Sequence, residues 1–265
     1  MIDLTIVSWS QFLEIANRLD VGPAPVRPYA FRGHGEATWE LQPSLLRALR
    51  TLNATEAQAL YLEERTIAEF RAQAHLHVPP NVFTTTTDIV SWLTLMQHHG
   101  APTRLLDWSR SVFVAAYFAV IDCPDADGAI WVVHIESLHA KMQQTHGDVG
   151  FPKNEKAIRE KFMQPNAPLV VTFVERKNRS DRMIAQQGTF SICQNVLGHH
   201  GHIMADALQG TDDNLHFAKL IIPARLKLSF LRKLRSMNIT ANALFPGLDG
   251  VARSVGELLR LGLTN

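Results

Sequence analysis

Apolar residues recur three and four positions apart in several stretches of the chain. Such spacing places them on one face of a helix, where they can pack against a core. Pro79-Pro80 marks the end of the longest of these stretches. The pattern predicts helices over residues 8–19, 53–76, 88–97, 225–235 and 251–261, with a shorter one over 155–162.

Shorter runs rich in β-branched and aromatic residues predict strands. These runs are residues 29–33, 128–135, 169–174, 188–193 and 220–222. The run 112–121 is almost wholly apolar, which fits a buried helix or a buried strand equally well. Helices and strands alternate without a regular βαβ period. We therefore expect an α+β fold with a mixed, mainly antiparallel sheet flanked by helices.

Three segments lack a regular pattern. Three prolines in residues 22–28 favour an extended approach to the first predicted strand. Residues 139–165 are polar, and outside the short helix we expect a flexible excursion there. Residues 198–202 are expected to form a loop rich in glycine and histidine. We expect one domain over residues 1–265, with residues 1–28 as an N-terminal helix and lead-in.

Composition limits the classes of function. The chain is 46% hydrophobic and 19% charged, which favours an ordered domain with a sizeable core. A net charge of +1 gives no general basis for binding nucleic acid. Two distant cysteines favour a reducing compartment. No signal peptide or apolar span is evident, so we expect a cytoplasmic protein with no membrane partner.

The first candidate site is Phe31-Arg32-Gly33 at the end of a predicted strand. An arginine can offer its planar fork to a phosphate, and a glycine lets a ligand approach the backbone. The alternative is a surface or ion-paired arginine in a tight turn.

The second candidate site spans residues 97–109, which include two histidines, an arginine, an aspartate and a tryptophan. His98 and His99 are adjacent, so on a helix they point in different directions and do not favour metal chelation. They could transfer protons, or they could only cap the helix. Arg104 and Asp107 are expected to form a partly buried ion pair, either beside a ligand or purely structural.

A third concentration of polar side chains is His199, His200 and His202. Such a loop could bind a metal or a phosphate, but without a nearby cysteine or carboxylate partner a solvated loop is favoured, and no metal is expected. The phosphate loop of the Walker type, the His-Glu-x-x-His helix and the Gly-x-Ser-x-Gly elbow are missing from the sequence. Their absence removes support for the commonest nucleotide hydrolases, metalloproteases and esterases.

These motifs resemble the FRG domain family. The resemblance is carried by Phe31-Arg32-Gly33, Trp39, the run 43–47, Gln97-His98-His99-Gly100 and the run 102–108. It continues through residues 115–119, Arg182 with the run 186–190, and residues 239–250. The likeness thus extends over about residues 29–250. It implies a bacterial or phage setting of conflict or toxin–antitoxin systems.

A more distant likeness is to ADP-ribosyltransferases, in which an aromatic-Arg-Gly strand precedes a further strand and a short apolar helix. This likeness implies NAD as co-substrate, with Arg32 holding a phosphate. Gln187 stands where those enzymes usually carry a late glutamate. The catalytic residues implied are Arg32, His98, Asp107 and Gln187, and the cofactor-binding residues are Phe31, Arg32, Gly33, His99, Arg104, Trp108 and Ser109.

The first functional hypothesis is therefore an ADP-ribosyltransferase-like effector that uses NAD to modify a nucleic acid or protein. An antitoxin could be a second partner of such an effector. Transfer to water would make the effector an NAD glycohydrolase. The second hypothesis is a non-catalytic module that binds a phosphate-bearing ligand or RNA, with Trp39 or Trp108 as a stacking face. A third is a structural partner built around a buried Arg–Asp network.

Overall fold

The structure is a computed structural model that describes residues 2–20, 28–174, 180–211 and 213–262. The described residues form seven strands, β1 (Ile2–Thr5), β2 (Tyr29–His34), β3 (Leu105–Ser109), β4 (Gly128–His134), β5 (Val171–Val174), β6 (Gly188–Cys193) and β7 (Phe217–Ile222). The helices are α1 (Trp9–Leu19), α2 (Ser44–Thr51), α3 (Glu56–Ala74), α4 (Pro80–Thr85), α5 (Ile89–His98), α6 (Val112–Val120), α7 (Ile135–His146), α8 (Glu155–Phe162), α9 (Asp181–Ala185), α10 (His200–Ala207), α11 (Ala224–Ser236), α12 (Ala241–Leu244) and α13 (Leu248–Leu261).

The seven strands form one mixed sheet in the order β1-β7-β4-β2-β3-β6-β5. Only β1 and β7 pair in parallel, and the other pairs are antiparallel. This arrangement confirms the expected α+β class and the mainly antiparallel sheet. Strand β2 pairs with β4 along its whole length but meets β3 only where Phe31 lies opposite Ser109. The centre of the sheet therefore opens between β2 and β3.

Helix α6 lies directly on β2 and β4, and it is apolar on all sides. A Cβ on Gly33 would lie 2.0 Å from the carbonyl oxygen of Ala115, and one on Gly128 would lie 2.0 Å from that of Ala119. Both glycines are thus needed for the close approach of the helix. On the opposite face of the sheet, α7 and α10 pack over an apolar cluster that includes Val133 and Val171.

Most predicted elements form, but two expectations about the polar segments are wrong and one strand was not predicted. Residues 135–146 are helical, so the excursion expected from residue 139 is shorter. The expected histidine loop is the start of α10, in which His200 is fully buried. Strand β1 was not anticipated. Residues 21–27, which include most of the predicted extended lead-in, lie outside the described residues. Among the described helices, none is both long and apolar enough to cross a membrane.

Arg104 is 2% exposed and forms a bidentate ion pair with Glu63, which is 1% exposed. Its Nη1 also donates to the carbonyl oxygens of Phe162 and Gln194, at 2.8 Å and 3.0 Å. The expected pair between Arg104 and Asp107 is therefore wrong. Successive side chains of a strand point to opposite faces, so the Arg104 and Asp107 side chains three positions apart reach different surroundings.

Candidate active site

A cavity of about 260 Å³ opens at the place where β2 and β3 separate. Helices α5, α6 and α9 complete its walls. It is lined by Phe31, Arg32, Gly33, Thr94, Gln97, His98, Asp107, Trp108, Ser109, Val114, Ala115, Phe118, Ser180, Arg182, Met183, Gln186 and Phe190. Seven of the site residues predicted from the sequence lie in this wall, which brings together two motifs about seventy residues apart in the chain.

Arg32 is held in a fixed orientation at the cavity. Its Nε donates to His34 Nε2 at 3.0 Å, and its Nη1 donates to the carbonyl oxygen of Asp107 at 2.7 Å. Its side chain is 24% exposed, so the guanidinium is largely desolvated but reaches the cavity. A preorganised guanidinium of this kind binds an anion with little loss of conformational entropy.

His34 supports Arg32 from within the protein. Because its Nε2 accepts from Arg32, its Nδ1 carries the hydrogen and donates to the carbonyl oxygen of Trp39 at 3.2 Å. Burial, together with the charge of Arg32, lowers the pKa of His34 to about 3. The ring is therefore neutral at physiological pH and remains a hydrogen-bond acceptor for the arginine.

Asp107 is the one carboxylate in the cavity wall within the described part of the chain. Its Oδ2 lies 3.8 Å from Arg32 Nη1, and its side chain is 58% exposed. An ion pair this open to solvent contributes little to stability. The carboxylate is thus available to a ligand.

Arg182 and Gln186 carry part of the family resemblance. They are not among the predicted site residues, yet both line the cavity. Arg182 lies over the ring of Phe245 at 4.9 Å. No hydrogen bond or ion pair holds it among the described residues. Gln186 Nε2 donates to the carbonyl oxygen of Leu244 at 3.1 Å. Arg182 is therefore a second cation that a ligand can engage.

The two adjacent histidines point in different directions, as expected. His98 lies at the cavity, whereas His99 lines an apolar groove formed with α2 and α3. Their rings are 5.0 Å apart and nearly perpendicular. Burial, with the nearby His99 and Arg182, lowers the pKa of His98. His98 is thus neutral at pH 7 and can accept a proton, while His99 is outside the cavity.

Trp108 and Ser109 line the cavity, but their polar groups are already bonded. The Trp108 side chain is 3% exposed, and its Nε1 donates to Ser191 Oγ at 2.8 Å. Ser109 Oγ donates to the carbonyl oxygen of Gln186 at 2.7 Å. Trp108 therefore cannot offer a stacking face, and Ser109 mainly joins β3 to the turn before β6.

Two further predicted site residues lie outside the cavity. Arg104 is buried with Glu63, so it cannot reach a ligand there. Gln187 is exposed, has a φ of +48°, and accepts from the backbone N–H of Arg110 through its carbonyl oxygen at 2.9 Å. The left-handed turn at Gln187 directs its neighbour Gln186 to the cavity. Sequence alone could not select between two adjacent glutamines.

The FRG domain family model matches residues 27–127. The match includes both motifs that form the Arg32 side of the cavity, whereas the likeness expected over residues 182–250 lies beyond it. No curated protein sequence and no solved structure matches the chain. Residues 27–127 of the chain are therefore similar to the FRG domain.

Proposed function

We propose that the cavity binds NAD and that the protein cleaves the nicotinamide–ribose bond, transferring ADP-ribose to a protein or nucleic acid. The observation that carries the proposal is the presence of Arg32, Arg182 and Asp107 around one cavity. Arginine forks suit phosphate oxygens, and a carboxylate suits a positively charged group.

The charges of NAD match this arrangement better than those of an ordinary nucleotide. A nucleotide carries only anionic phosphates, which the carboxylate of Asp107 would repel. NAD carries an anionic pyrophosphate and a cationic nicotinamide ring. Arg32 and Arg182 would bind the pyrophosphate, and Asp107 would face the nicotinamide ribose. The aromatic wall of Phe31, Phe118 and Phe190 offers an apolar surface for a ring.

The chemistry requires stabilisation of a positive charge as the bond breaks. The bond between ribose C1′ and the ring nitrogen breaks, and its electron pair leaves with nicotinamide, which becomes neutral. Asp107 would stabilise the positive charge that develops on the ribose. An acceptor hydroxyl or amine then bonds to C1′, and we propose that His98, which lines the cavity, takes its proton. Water as acceptor would give a glycohydrolase.

A second candidate is a module that binds a phosphate-bearing ligand without turnover. It is favoured by the position of Gln186, an amide at the cavity wall where a carboxylate would give stronger charge stabilisation. This candidate predicts the same dependence of binding on Arg32 and Arg182. It differs in requiring no role for Asp107 in catalysis.

Release of nicotinamide from NAD tests the proposal. Wild-type protein is incubated with NAD, alone and with a protein or RNA extract, and nicotinamide is quantified by chromatography. We expect release that is lost in Asp107→Asn and Arg182→Ala. Arg225→Ala, at an exposed position of α11, should behave as wild type.

The outcomes separate the candidates. Release only with an extract identifies a transferase, and label from NAD then marks the acceptor. Release without an extract identifies a glycohydrolase. NAD binding without release of nicotinamide in any arm would support the binding module. If the protein neither binds NAD nor releases nicotinamide, both uses of NAD are refuted.

A further inference from the structure

A second cluster of ligand-type side chains lies outside the cavity. Glu40 belongs to the loop between β2 and α2, His199 caps α10, and His202 is in the first turn of that helix. The sequence places Glu40 far from the two histidines, so the expectation that they lack a carboxylate partner is wrong. None of the three lines the candidate active site.

The donor atoms of the cluster lie close together. One carboxylate oxygen of Glu40 and one ring nitrogen of each histidine are all within 4.8 Å of one another. Glu40 Oε2 is 3.3 Å from His199 Nε2. The two imidazoles are stacked, with ring centres 3.8 Å apart and planes 13° apart. Two imidazoles and one carboxylate are a donor set suited to zinc.

Backbone contacts hold α10, which carries the two histidines, against the loop that carries Glu40. The backbone N–H of Gly201 donates to the carbonyl oxygen of Leu41 at 3.1 Å, which ties α10 to the loop that carries Glu40. A Cβ on Gly201 would lie 3.1 Å from Leu41 Cβ and 3.2 Å from the His199 ring. The glycine therefore permits a close contact that brings His199 to Glu40. His199 is 8% exposed, which restricts its ring.

We propose that Glu40, His199 and His202 form a site for Zn²⁺, with three protein ligands and a fourth position open to water. Such an arrangement resembles the open geometry of catalytic rather than structural zinc sites. Glu40 and His202 are exposed, so their side chains can move inward to reach the short distances that zinc requires. The ion would join the loop after β2 to α10.

The hydrogen bonds of His199 set a cost for binding. Its Nδ1 accepts from the backbone N–H of His202 at 3.2 Å, so Nε2 carries the hydrogen that faces Glu40. Zinc at Nε2 displaces this hydrogen, which moves to Nδ1 and breaks the cap. Loss of a cap weakens the affinity by roughly tenfold. The site is therefore weaker than one whose histidines have a free donor atom.

Titration of the chelator-treated full chain with Zn²⁺ by calorimetry tests the site, with Co²⁺ as a spectroscopic probe. We expect one saturable ion per chain and a visible Co²⁺ spectrum of tetrahedral type. Glu40→Gln and His202→Asn should each weaken Zn²⁺ binding by roughly tenfold or more, since even outer-shell partners contribute that much. His146→Asn removes an exposed histidine of α7 and serves as the matched control.

Both substituted side chains are exposed, so their loss should leave the fold intact, which circular dichroism checks. Zn²⁺ binding that weakens by roughly tenfold or more in Glu40→Gln and His202→Asn but is unchanged in His146→Asn would establish the site. Equal binding by all four proteins, or no saturable binding by the wild type, would overturn the proposal.

Discussion

Removal of Glu63 should destabilise the protein severely. Glu63 is 1% exposed and is the counter-charge of Arg104, which is 2% exposed. In Glu63→Gln the guanidinium stays buried without a negative partner, and the new amide N–H group faces one of its donors. Breaking a buried pair from one side costs about 3–5 kcal/mol. That is a large part of the roughly 5–15 kcal/mol that holds a typical native protein folded.

Urea denaturation followed by circular dichroism at pH 7 measures this loss. The neighbouring Glu64 provides the control, since its ion pair with Arg159 is exposed on both sides. Glu64→Gln should cost at most about 1 kcal/mol. A double variant, Glu63→Leu with Arg104→Met, should recover much of the loss because no charge is left buried. A loss below about 1 kcal/mol for Glu63→Gln would refute the reasoning.

Two further predictions concern Gly33 in the sheet and the buried His200 of α10. Gly33→Ala should lower the melting temperature sharply, because its Cβ would lie 2.0 Å from a backbone oxygen of α6; an unchanged melting temperature would contradict the close packing. Burial lowers the pKa of His200 to about 3, whereas an unfolded imidazole protonates near 6.5. The unfolded state therefore binds more protons between these values, so each such histidine lowers the unfolding free energy by about 2 kcal/mol between pH 7 and pH 5. Urea denaturation of wild type and His200→Gln at both pH values checks this. Between pH 7 and pH 5 the unfolding free energy of the variant should fall by about 2 kcal/mol less than that of the wild type. An equal fall in both proteins would contradict the lowered pKa of His200.

Local pattern is sufficient to predict most of the long helices and most of the strands. The long helix α3 has a capping box at Thr55 and Gln58, and its apolar spacing identifies it. The helical spacing of 225–235 likewise predicts α11. Helix α7 was missed because its polar residues show no clear apolar face, although Leu138 and Met142 are buried in it. Strand β1 has only four residues, too few for a pattern.

The sequence predicts many residues of the candidate site but not the distant residues that contact them. Arg32 and Asp107 lie in recognisable motifs, and both reach the cavity. Arg104 lies in the same motif and is buried with Glu63, a partner that sequence spacing cannot reveal. Glu40 meets the α10 histidines only through the fold, for the same reason. Long-range partners depend on how the sheet brings distant segments together.

Calorimetric titration of NAD against the wild type and Arg182→Ala tests the central claim most directly. Loss of a charge-assisted contact of about 1.5–3 kcal/mol should weaken NAD binding by about ten- to a hundredfold. Arg225→Ala should leave the affinity unchanged. Saturable binding by the wild type that weakens in this way would place the pyrophosphate at the cavity. Absence of binding by a folded wild type, or equal affinity in Arg182→Ala, would contradict the account.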